Sequence, residues 1–430
     1  MDIKQNYSGM VVKNHYFSVP LDYYNNDSER LDIFAREIRS IKSSNKKRPY
    51  LCFFQGGPGY EAPRPITYSG WIKKACEKYT VLLLDQRGTG LSSPITSIML
   101  EGKSDKNIAE YLSFFRADNI VKDAEFIRKQ LICESKWSIL GQSFGGFCAV
   151  HYLSYYPNSL NEVFITGGLP PLNSHVDDIY RATYARVIEK NKVFYTLFPQ
   201  AKIQASKIAE YLLDNKVKLP NGDHLSCKRF QQLGLSLGFS DGMATLNYLF
   251  EAAFCSKKLS YSFLKGIFAH QTFDTNPIFT ILHEACYAQA FSSNWSAYRI
   301  LDEFPEFKFK VGKPLLFTGE MLFPWMMKTY SSLRPFKGAA DILALKDDWP
   351  LLYDSQQLSK NKVPVAAAVY TNDMYVDRHL SMETAKIIRN IRIWETREYE
   401  HNGLRSNGDV ILSNLFKKIR YILFKIEHCK

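Results

Sequence analysis

The stretch best suited to chemistry is a serine set between glycines. Residues 141–145 read Gly-Gln-Ser-Phe-Gly, follow an apolar run at 137–140 and precede a helical pattern at 147–156. A strand that turns sharply into a helix is typical of a nucleophile elbow, which lifts the serine hydroxyl above the end of a sheet. Glycines are needed there because the turn strains the backbone and brings main-chain atoms close together. The pattern also occurs in ordinary turns, so the interpretation of Ser143 as a nucleophile depends on its partners.

The partners that such a serine requires are predicted near the end of the chain. A serine hydroxyl needs a histidine to accept its proton and a carboxylate to orient that histidine. Asp373 and His401 fit these roles, since they follow the last two predicted strands, in the chain order Ser, Asp, His. All three side chains would gather at the carboxyl edge of a parallel sheet. Two alternatives stay open: Asp377, which lies where it could cap the next helix, and His379, which precedes the last strand.

A glycine-rich loop at 55–59, Gln-Gly-Gly-Pro-Gly, follows the apolar run 50–54. The backbone N–H groups of Gly57 and Phe144 are predicted to form an oxyanion hole beside the serine. A phosphate-binding P-loop is excluded because no Gly-Lys-Ser/Thr follows, and a plain tight turn is the other interpretation. The polar loop 85–92, Asp-Gln-Arg-Gly-Thr-Gly-Leu-Ser, is predicted to support the site structurally.

The elements that must position these residues alternate along much of the chain. This alternation predicts an α/β protein with a mostly parallel sheet and helices on both faces. Two segments with alternating apolar residues, 12–23 and 31–41, predict an antiparallel pair that opens the sheet. The buried strands are predicted at 50–54, 79–84, 162–166, 363–370 and 391–396, and core helices at 118–132, 381–390 and 410–426.

The alternation breaks between about 173 and 350, where the apolar spacing is helical and Tyr and Phe are abundant. We predict an inserted helical cap, so that residues 1–171 and 351–430 form the core and 172–350 the cap. The aromatic residues could line a ligand pocket or could simply pack the cap helices together. The cap helices are predicted at 178–197, 203–214, 243–254, 277–291 and 295–304.

Composition excludes several classes of protein. The chain has 430 residues, 46% of them hydrophobic and 23% charged, which is typical of a globular protein. The net charge of +12 comes from dispersed lysines without a nucleic-acid-binding motif, so we expect no nucleic-acid partner. The polar N-terminus and the lack of a membrane-length apolar run predict a soluble, cytoplasmic protein without a membrane partner. The eight scattered cysteines are expected to be free, mostly buried thiols.

Four of these motifs together resemble the proline iminopeptidase (prolyl aminopeptidase) family of α/β-hydrolases. They are the loops 55–59 and 85–92, the elbow 141–146, and the late Asp373 and His401. The length and the large insertion resemble the longer bacterial branch of that family. One departure is Gln55, since the first motif of the family usually begins with His. Because the oxyanion donors are backbone groups, this departure puts only local loop packing in doubt.

The resemblance implies an α/β-hydrolase fold with a mostly parallel eight-stranded sheet, and release of an N-terminal proline from short peptides without a metal or organic cofactor. Such an enzyme must bind a charged amine, and relatives supply acidic residues from the cap. Glu284, on an otherwise apolar and aromatic helix, is the first candidate here and Glu320 the second. A solvated or ion-paired glutamate is the alternative for each.

Two other functions stay open at this stage. One is an esterase or amidase for small molecules, which would have no use for a cap carboxylate. The other is a catalytically silent binding protein of the same fold, against which the intact Ser, Asp, His order argues. The oligomeric state is also left open, and a homo-oligomer is compatible with the sequence.

Overall fold

The first part of the chain builds most of a large sheet. The computed structural model describes residues 4–43, 45–271 and 273–428. The strands are β1 (Lys4–Tyr7), β2 (Met10–Pro20), β3 (Arg30–Ser40), β4 (Tyr50–Phe54), β5 (Thr80–Leu84), β6 (Trp137–Gln142) and β7 (Leu160–Thr166). The helices of this part are α1 (Gly70–Ala75), α2 (Asp105–Ser113), α3 (Ala117–Ile132) and α4 (Phe144–Tyr155).

The segment between β7 and the next sheet strand is mainly helical. Its helices are α5 (Val176–Leu197), α6 (Pro199–Asp214), α7 (Cys227–Gln231), α8 (Gly242–Glu251), α9 (Tyr261–His270), α10 (Pro277–Leu282), α11 (Ser296–Ile300), α12 (Met326–Thr329) and α13 (Lys337–Leu345). Two small hairpins interrupt them, β8 (Val217–Lys218) with β9 (His224–Leu225), and β10 (Phe254–Cys255) with β11 (Lys258–Leu259). We call the segment 172–350 the cap.

Two helices predicted in the cap are shorter than expected. The helix predicted at 277–291 ends at Leu282, and the one predicted at 295–304 covers only Ser296–Ile300. Between them Ala290, Asn294 and Trp295 have positive φ angles, a conformation that L-residues cannot propagate as a right-handed helix. The apolar spacing there reflects burial in irregular backbone, which periodicity alone does not distinguish from a helix.

The last part of the chain completes the sheet. It contains α14 (Ser355–Ser359), β12 (Val365–Tyr370), α15 (Arg378–Ile387), β13 (Ile391–Thr396) and α16 (Gly403–His428). The prediction that a helix starts at Ser381 is wrong by three residues, because Asp377 caps it. Helix α16 begins well before the predicted position 410 and has a kink at Asn407, whose φ of −147° is not helical.

The sheet has nine strands in the order β1-β2-β3-β5-β4-β6-β7-β12-β13, one strand more than the eight expected. The additional strand is β1, which pairs antiparallel with the start of β2 through a tight connection at residues 8 and 9. A strand of four residues at a sheet edge has too short a pattern to be recognised in the sequence. The pairs from β5 to β13 are parallel, and the pairs from β1 to β5 are antiparallel.

Helices cover both faces of the sheet, as expected. On β4, Leu51 and Phe53 pack towards α1 and α16, whereas Cys52 and Phe54 pack towards α3 and α4. The central strands are therefore buried on both faces and read as continuous apolar runs. The carboxyl ends of β6, β12 and β13 consequently meet at one edge, beneath the cap. Within the described ranges, no helix is both long and apolar enough to cross a lipid bilayer.

Candidate active site

Ser143 lies in a sharp turn between β6 and α4, with a φ of 55° and a ψ of −126°. Glycines permit this turn by their lack of a side chain. A Cβ on Gly141 would lie 2.3 Å from the carbonyl oxygen of Gly145, and a Cβ on Gly145 would lie 2.0 Å from the carbonyl oxygen of Phe54. The strained serine is held because its N–H donates to the Thr166 carbonyl, at 3.0 Å, on the neighbouring strand.

The structure brings Ser143, His401 and Asp373 together at the carboxyl edge of the sheet. His401 Nε2 lies 2.9 Å from Ser143 Oγ, and His401 Nδ1 lies 2.7 Å from Asp373 Oδ2. All three side chains are buried, since Asp373 is 1% exposed and the other two are below 10%. A histidine held by a carboxylate on one ring nitrogen can remove a proton from a hydroxyl on the other.

The carboxylate of Asp373 is fixed by its own backbone. Its Oδ1 accepts hydrogen bonds from the N–H groups of Tyr375 and Val376, at 2.8 and 3.1 Å, and this leaves Oδ2 for His401. The two alternatives from the sequence lie elsewhere. Asp377 accepts from the Leu380 N–H, at 3.1 Å, as the N-cap of α15, and His379 is exposed within that helix.

The electrostatic environment favours a protonated His401. Burial by itself lowers the pKa of a histidine, but the charge and the hydrogen bond of Asp373 outweigh burial, so the pKa of His401 lies above its ordinary value. Glu320 and Glu400 add to this effect. An imidazole in such surroundings is stabilised when it takes up a proton from the serine.

The glycine-rich loop after β4 approaches Ser143 closely. A Cβ on Gly56 would lie 2.9 Å from Ser143 Cβ, and Gly57 has a φ of +131°, which only glycine adopts readily. Phe144 is the first residue of α4, so its N–H has no acceptor within the helix. The two predicted oxyanion donors, Gly57 and Phe144, thus belong to segments that flank the serine.

The polar loop after β5 braces the glycine-rich loop. The Gln86 side chain donates to the Gln55 carbonyl, at 2.9 Å. Asp85 is fully buried and accepts from the N–H groups of Ala62 and Leu91, at 3.1 and 3.0 Å, and from the Arg64 guanidinium. These contacts fix the main chain on both sides of residues 56–59, which is the structural role expected from the sequence.

Glu284, the first candidate for binding an amine, has both carboxylate oxygens engaged. They accept from the N–H groups of Ser296 and Ala297, each at 2.9 Å, at the start of α11. Burial raises the pKa of Glu284 to about 7, although these N–H donors lower it. The contacts indicate that Glu284 organises the cap backbone.

Glu320, the second candidate, lies close to the hydrogen-bonded side chains of Asp373 and His401. Burial raises the pKa of Glu320 to about 8, while His401 lowers it and Asp373 raises it further. His283 lies beside it, with Nε2 3.7 Å from Glu320 Oε2. Burial lowers the pKa of His283 to about 3, so that ring is neutral at pH 7 and does not balance the charge of Glu320.

A narrow cavity of about 20 Å³, enough for about one water molecule, lies beside Glu320. Its walls include Phe273, Phe279, Met321 and Tyr330, all from the cap. Aromatic residues therefore line a pocket here, which was one of the two interpretations of their abundance. A largely buried carboxylate beside aromatic side chains is suited to binding a small cationic group.

One residue of the site was missed in the sequence. Tyr375 stacks on His401 with ring centroids 4.5 Å apart, while its N–H donates to Asp373 and its hydroxyl donates to the Leu235 carbonyl in the cap. The available signal was its position two residues after Asp373, where an Asp side chain commonly accepts a backbone hydrogen bond.

Part of the chain matches a known family model. Residues 49–226 match the family model described as the alpha/beta hydrolase fold. A solved 2-hydroxy-6-oxo-6-phenylhexa-2,4-dienoate hydrolase from Rhodococcus sp. strain RHA1 aligns over 95% of this chain and 99% of its own, with a TM-score of 0.45 and 12% identity.

Two relatives match nearly the full length of the chain. The proline iminopeptidase of Aeromonas sobria is 48% identical over 410 residues, which is 95% of this chain and 96% of that protein. The proline iminopeptidase aneH of Aspergillus aculeatus is 35% identical over 413 residues, covering 93% and 92% respectively. With this identity over both full lengths, the chain belongs to the proline iminopeptidase family of α/β-hydrolases.

Proposed function

We propose that this protein is a serine aminopeptidase that releases an N-terminal proline from short peptides. The observation that carries the proposal is the position of Glu320. Its largely buried carboxylate lies near the hydrogen-bonded side chains of Ser143, His401 and Asp373. A peptidase that acts on the first residue must bind a cationic amine a short distance from the carbonyl it attacks. The names of the two full-length relatives support the same activity.

In the first half of the proposed reaction, Ser143 Oγ attacks the carbonyl carbon of the N-terminal residue. His401 Nε2 takes up the hydroxyl proton, and Asp373 stabilises the imidazolium that forms. The carbonyl oxygen becomes an oxyanion, which accepts hydrogen bonds from the N–H groups of Gly57 and Phe144. His401 then gives the proton to the leaving nitrogen, the peptide bond breaks, and an acyl-enzyme remains.

In the second half, water attacks the acyl-enzyme with His401 again acting as the base. The proton taken from water passes to Ser143 Oγ as the ester bond breaks, and free proline leaves. All steps use side chains and backbone groups of this chain. The two halves need the same oxyanion donors, because each passes through a tetrahedral intermediate.

Glu320 is proposed to bind the amine, and the aromatic side chains beside it to contact the pyrrolidine ring. The pKa of Glu320, raised to about 8, reflects burial, which outweighs the opposing effect of His401. A bound ammonium group would supply a cationic partner and favour the ionised carboxylate. Phe273, Phe279 and Tyr330 would contact the apolar ring carbons.

The test compares a prolyl aryl amide with a neutral butyrate ester on wild type and on Glu320→Gln. We expect the substitution to lower kcat/KM for the amide about 100-fold, since truncating a buried charge pair costs about 2–5 kcal/mol. Turnover of the ester, which has no amine, should change less than about twofold. Similar losses on both substrates would contradict amine binding by Glu320. Preference of the wild type for the ester would instead favour an esterase.

Glu284→Gln is the matched control, because it also replaces a buried cap glutamate. Its carboxylate holds the start of α11, so we expect a less stable protein with an unchanged ratio of amide to ester turnover. A selective loss of amide turnover in this variant would move the amine site from Glu320 to Glu284.

We also propose a cytoplasmic location. The support is chemical, since the thiols of Cys133 and Cys255 are free and exposed, while those of Cys52, Cys76 and Cys148 are free and buried. Exposed thiols persist where glutathione and thioredoxin keep them reduced.

A further inference from the structure

The loop between β13 and α16, which carries His401, is held by the cap. Lys190 in cap helix α5 places its Nζ 2.5 Å from both carboxylate oxygens of Glu400, the residue directly before His401. The Lys190 side chain is 5% exposed and that of Glu400 26% exposed. This ion pair is therefore largely shielded from water and joins two segments that are 210 residues apart.

The next two residues of the loop also bond to the cap. The His401 N–H donates to the carbonyl of Gly238, at 3.2 Å, and the Asn402 side chain accepts from the Ser240 N–H, at 3.0 Å. Three consecutive residues of the loop therefore each bond to a residue of the cap: Glu400, His401 and Asn402. A loop fixed at these three residues has little freedom to rotate the imidazole away from the serine.

The same cap segment also supports the imidazole ring. Tyr375, which packs against His401, also stacks on Phe239 of the cap, with ring centroids 5.5 Å apart and planes 19° apart. A Cβ on Gly238 would lie 2.0 Å from the Tyr375 ring, so cap backbone and ring are in direct contact. The position of the ring that packs against the base therefore depends on the cap.

Charge makes Lys190 the key contact in this arrangement. Glu400 lies close enough to Asp373 for the two carboxylates to repel each other, and Lys190 offsets that repulsion. Without Lys190, Glu400 would be a partly buried anion beside a second one, and its loop would shift to reach water. A shift of about 1 Å in a reacting group can cost about 100-fold in rate.

We propose that Lys190 is a positioning residue for His401, through which docking of the cap sets the geometry of the general base. This inference rests on the proposed role of His401 and deepens the proposed function. It implies that the cap contributes to the chemical step as well as to substrate binding. The expected signature is a loss in kcat with little change in KM.

The test substitutes Lys190→Met and measures three quantities. They are kcat and KM on a prolyl aryl amide, the rate at which a fluorophosphonate labels Ser143, and the melting temperature. We expect kcat and the labelling rate to fall about tenfold, with KM changed less than about twofold. The double variant Lys190→Met/Glu400→Gln should recover part of the loss, because no unpaired charge is left.

The matched control is Arg181→Met. Arg181 lies on the same helix and forms an ion pair with Glu303, at 2.8 Å, but within the cap and exposed to solvent. We expect its kcat and labelling rate to stay within about twofold of wild type.

The inference is overturned if folded Lys190→Met has the same labelling rate and kcat as wild type. It is equally overturned if Arg181→Met loses as much kcat and labelling rate as Lys190→Met. It is also overturned if the loss of kcat and of labelling rate is fully explained by a smaller fraction of folded protein. If Lys190→Met does not fold, Lys190→Gln carries the test under the same criteria, since it also removes the cation from Glu400. A wild type that labels at Ser143 but does not cleave the prolyl amide would refute the proposed function, while the labelling rates would still decide the role of Lys190.

Discussion

The surroundings of His401 contain three carboxylates from separate parts of the chain. Asp373 bonds to the ring, Glu320 comes from the cap, and Glu400 precedes the histidine in sequence. Each stabilises the imidazolium relative to the neutral ring, and burial works against them. The balance raises the pKa of His401, which affects the pH range in which the base is available.

This balance predicts the pH dependence of ester turnover. Only the neutral imidazole can accept the serine proton, so kcat/KM should rise with pH through the pKa of His401, with an inflection above about 6.5. The butyrate ester is the substrate to use, because it has no amine whose binding would also depend on pH. Asp373→Asn should move the inflection to lower pH and reduce kcat by about 10⁴. An inflection that stays in place would show that Asp373 does not set this pKa.

At the residue scale, the positions of Ser143, Asp373 and His401 could be predicted because each follows a recognisable strand. Because each residue follows the carboxyl end of a parallel strand, all three must lie at the same edge of the sheet. This can be inferred without knowing the geometry of the loops. The ranking of Glu284 above Glu320 could not be settled in this way. Both are acidic residues in apolar surroundings, and only the folded cap determines that backbone N–H groups meet Glu284 and not Glu320.

At the scale of elements, the start of α15 explains why Asp373 and Asp377 have different roles. Asp373 lies in the loop after β12 and Asp377 caps the helix. We expect Asp377→Ala to lower the free energy of unfolding by about 1 kcal/mol, since it removes an N-cap acceptor. The labelling rate of Ser143 in the folded variant should stay unchanged. Denaturant unfolding and fluorophosphonate labelling check the two parts separately, and a large loss of labelling would reopen the assignment of the carboxylate.

Element boundaries were predictable where burial and local signals agree. The strands β4 and β5 match their apolar runs, because strands buried on both faces leave little ambiguity. The edge strand β13 also matches its predicted bounds, although it is only partly buried. The prediction missed β1, whose four residues hold no pattern, and misplaced the start of α15, where Asp377 and Ser381 were both plausible caps. In the cap, positive φ angles at residues such as Ala290 end helices that spacing alone would continue.

At the scale of the whole molecule, Arg87 connects several elements through hydrogen bonds. Its guanidinium bonds to both carboxylate oxygens of Asp123 on α3 and to the carbonyls of Pro20, Leu21 and Phe114. The antiparallel end of the sheet, α3 and the loop after α2 are thus joined at one fully buried group.

We expect Arg87→Met to lower the free energy of unfolding by about 3–5 kcal/mol, because Asp123 would remain buried without its cation. Arg87→Met/Asp123→Leu should be more stable than the single variant, since it removes that uncompensated charge. Denaturant unfolding of both variants measures the difference. Equal stabilities would mean that lost packing, and not charge, accounts for the effect.

The cavity beside Glu320 has a consequence for how a peptide would be shortened. In the proposed function the carboxylate of Glu320, on one wall of this cavity, binds the amine of the first residue. In the proposed reaction the remainder of the peptide is the leaving group, so it departs while the first residue is still attached to Ser143. The new N-terminus can enter only after deacylation and a fresh encounter. Trimming by this enzyme is therefore distributive, with one residue removed per encounter and no processive run along the chain.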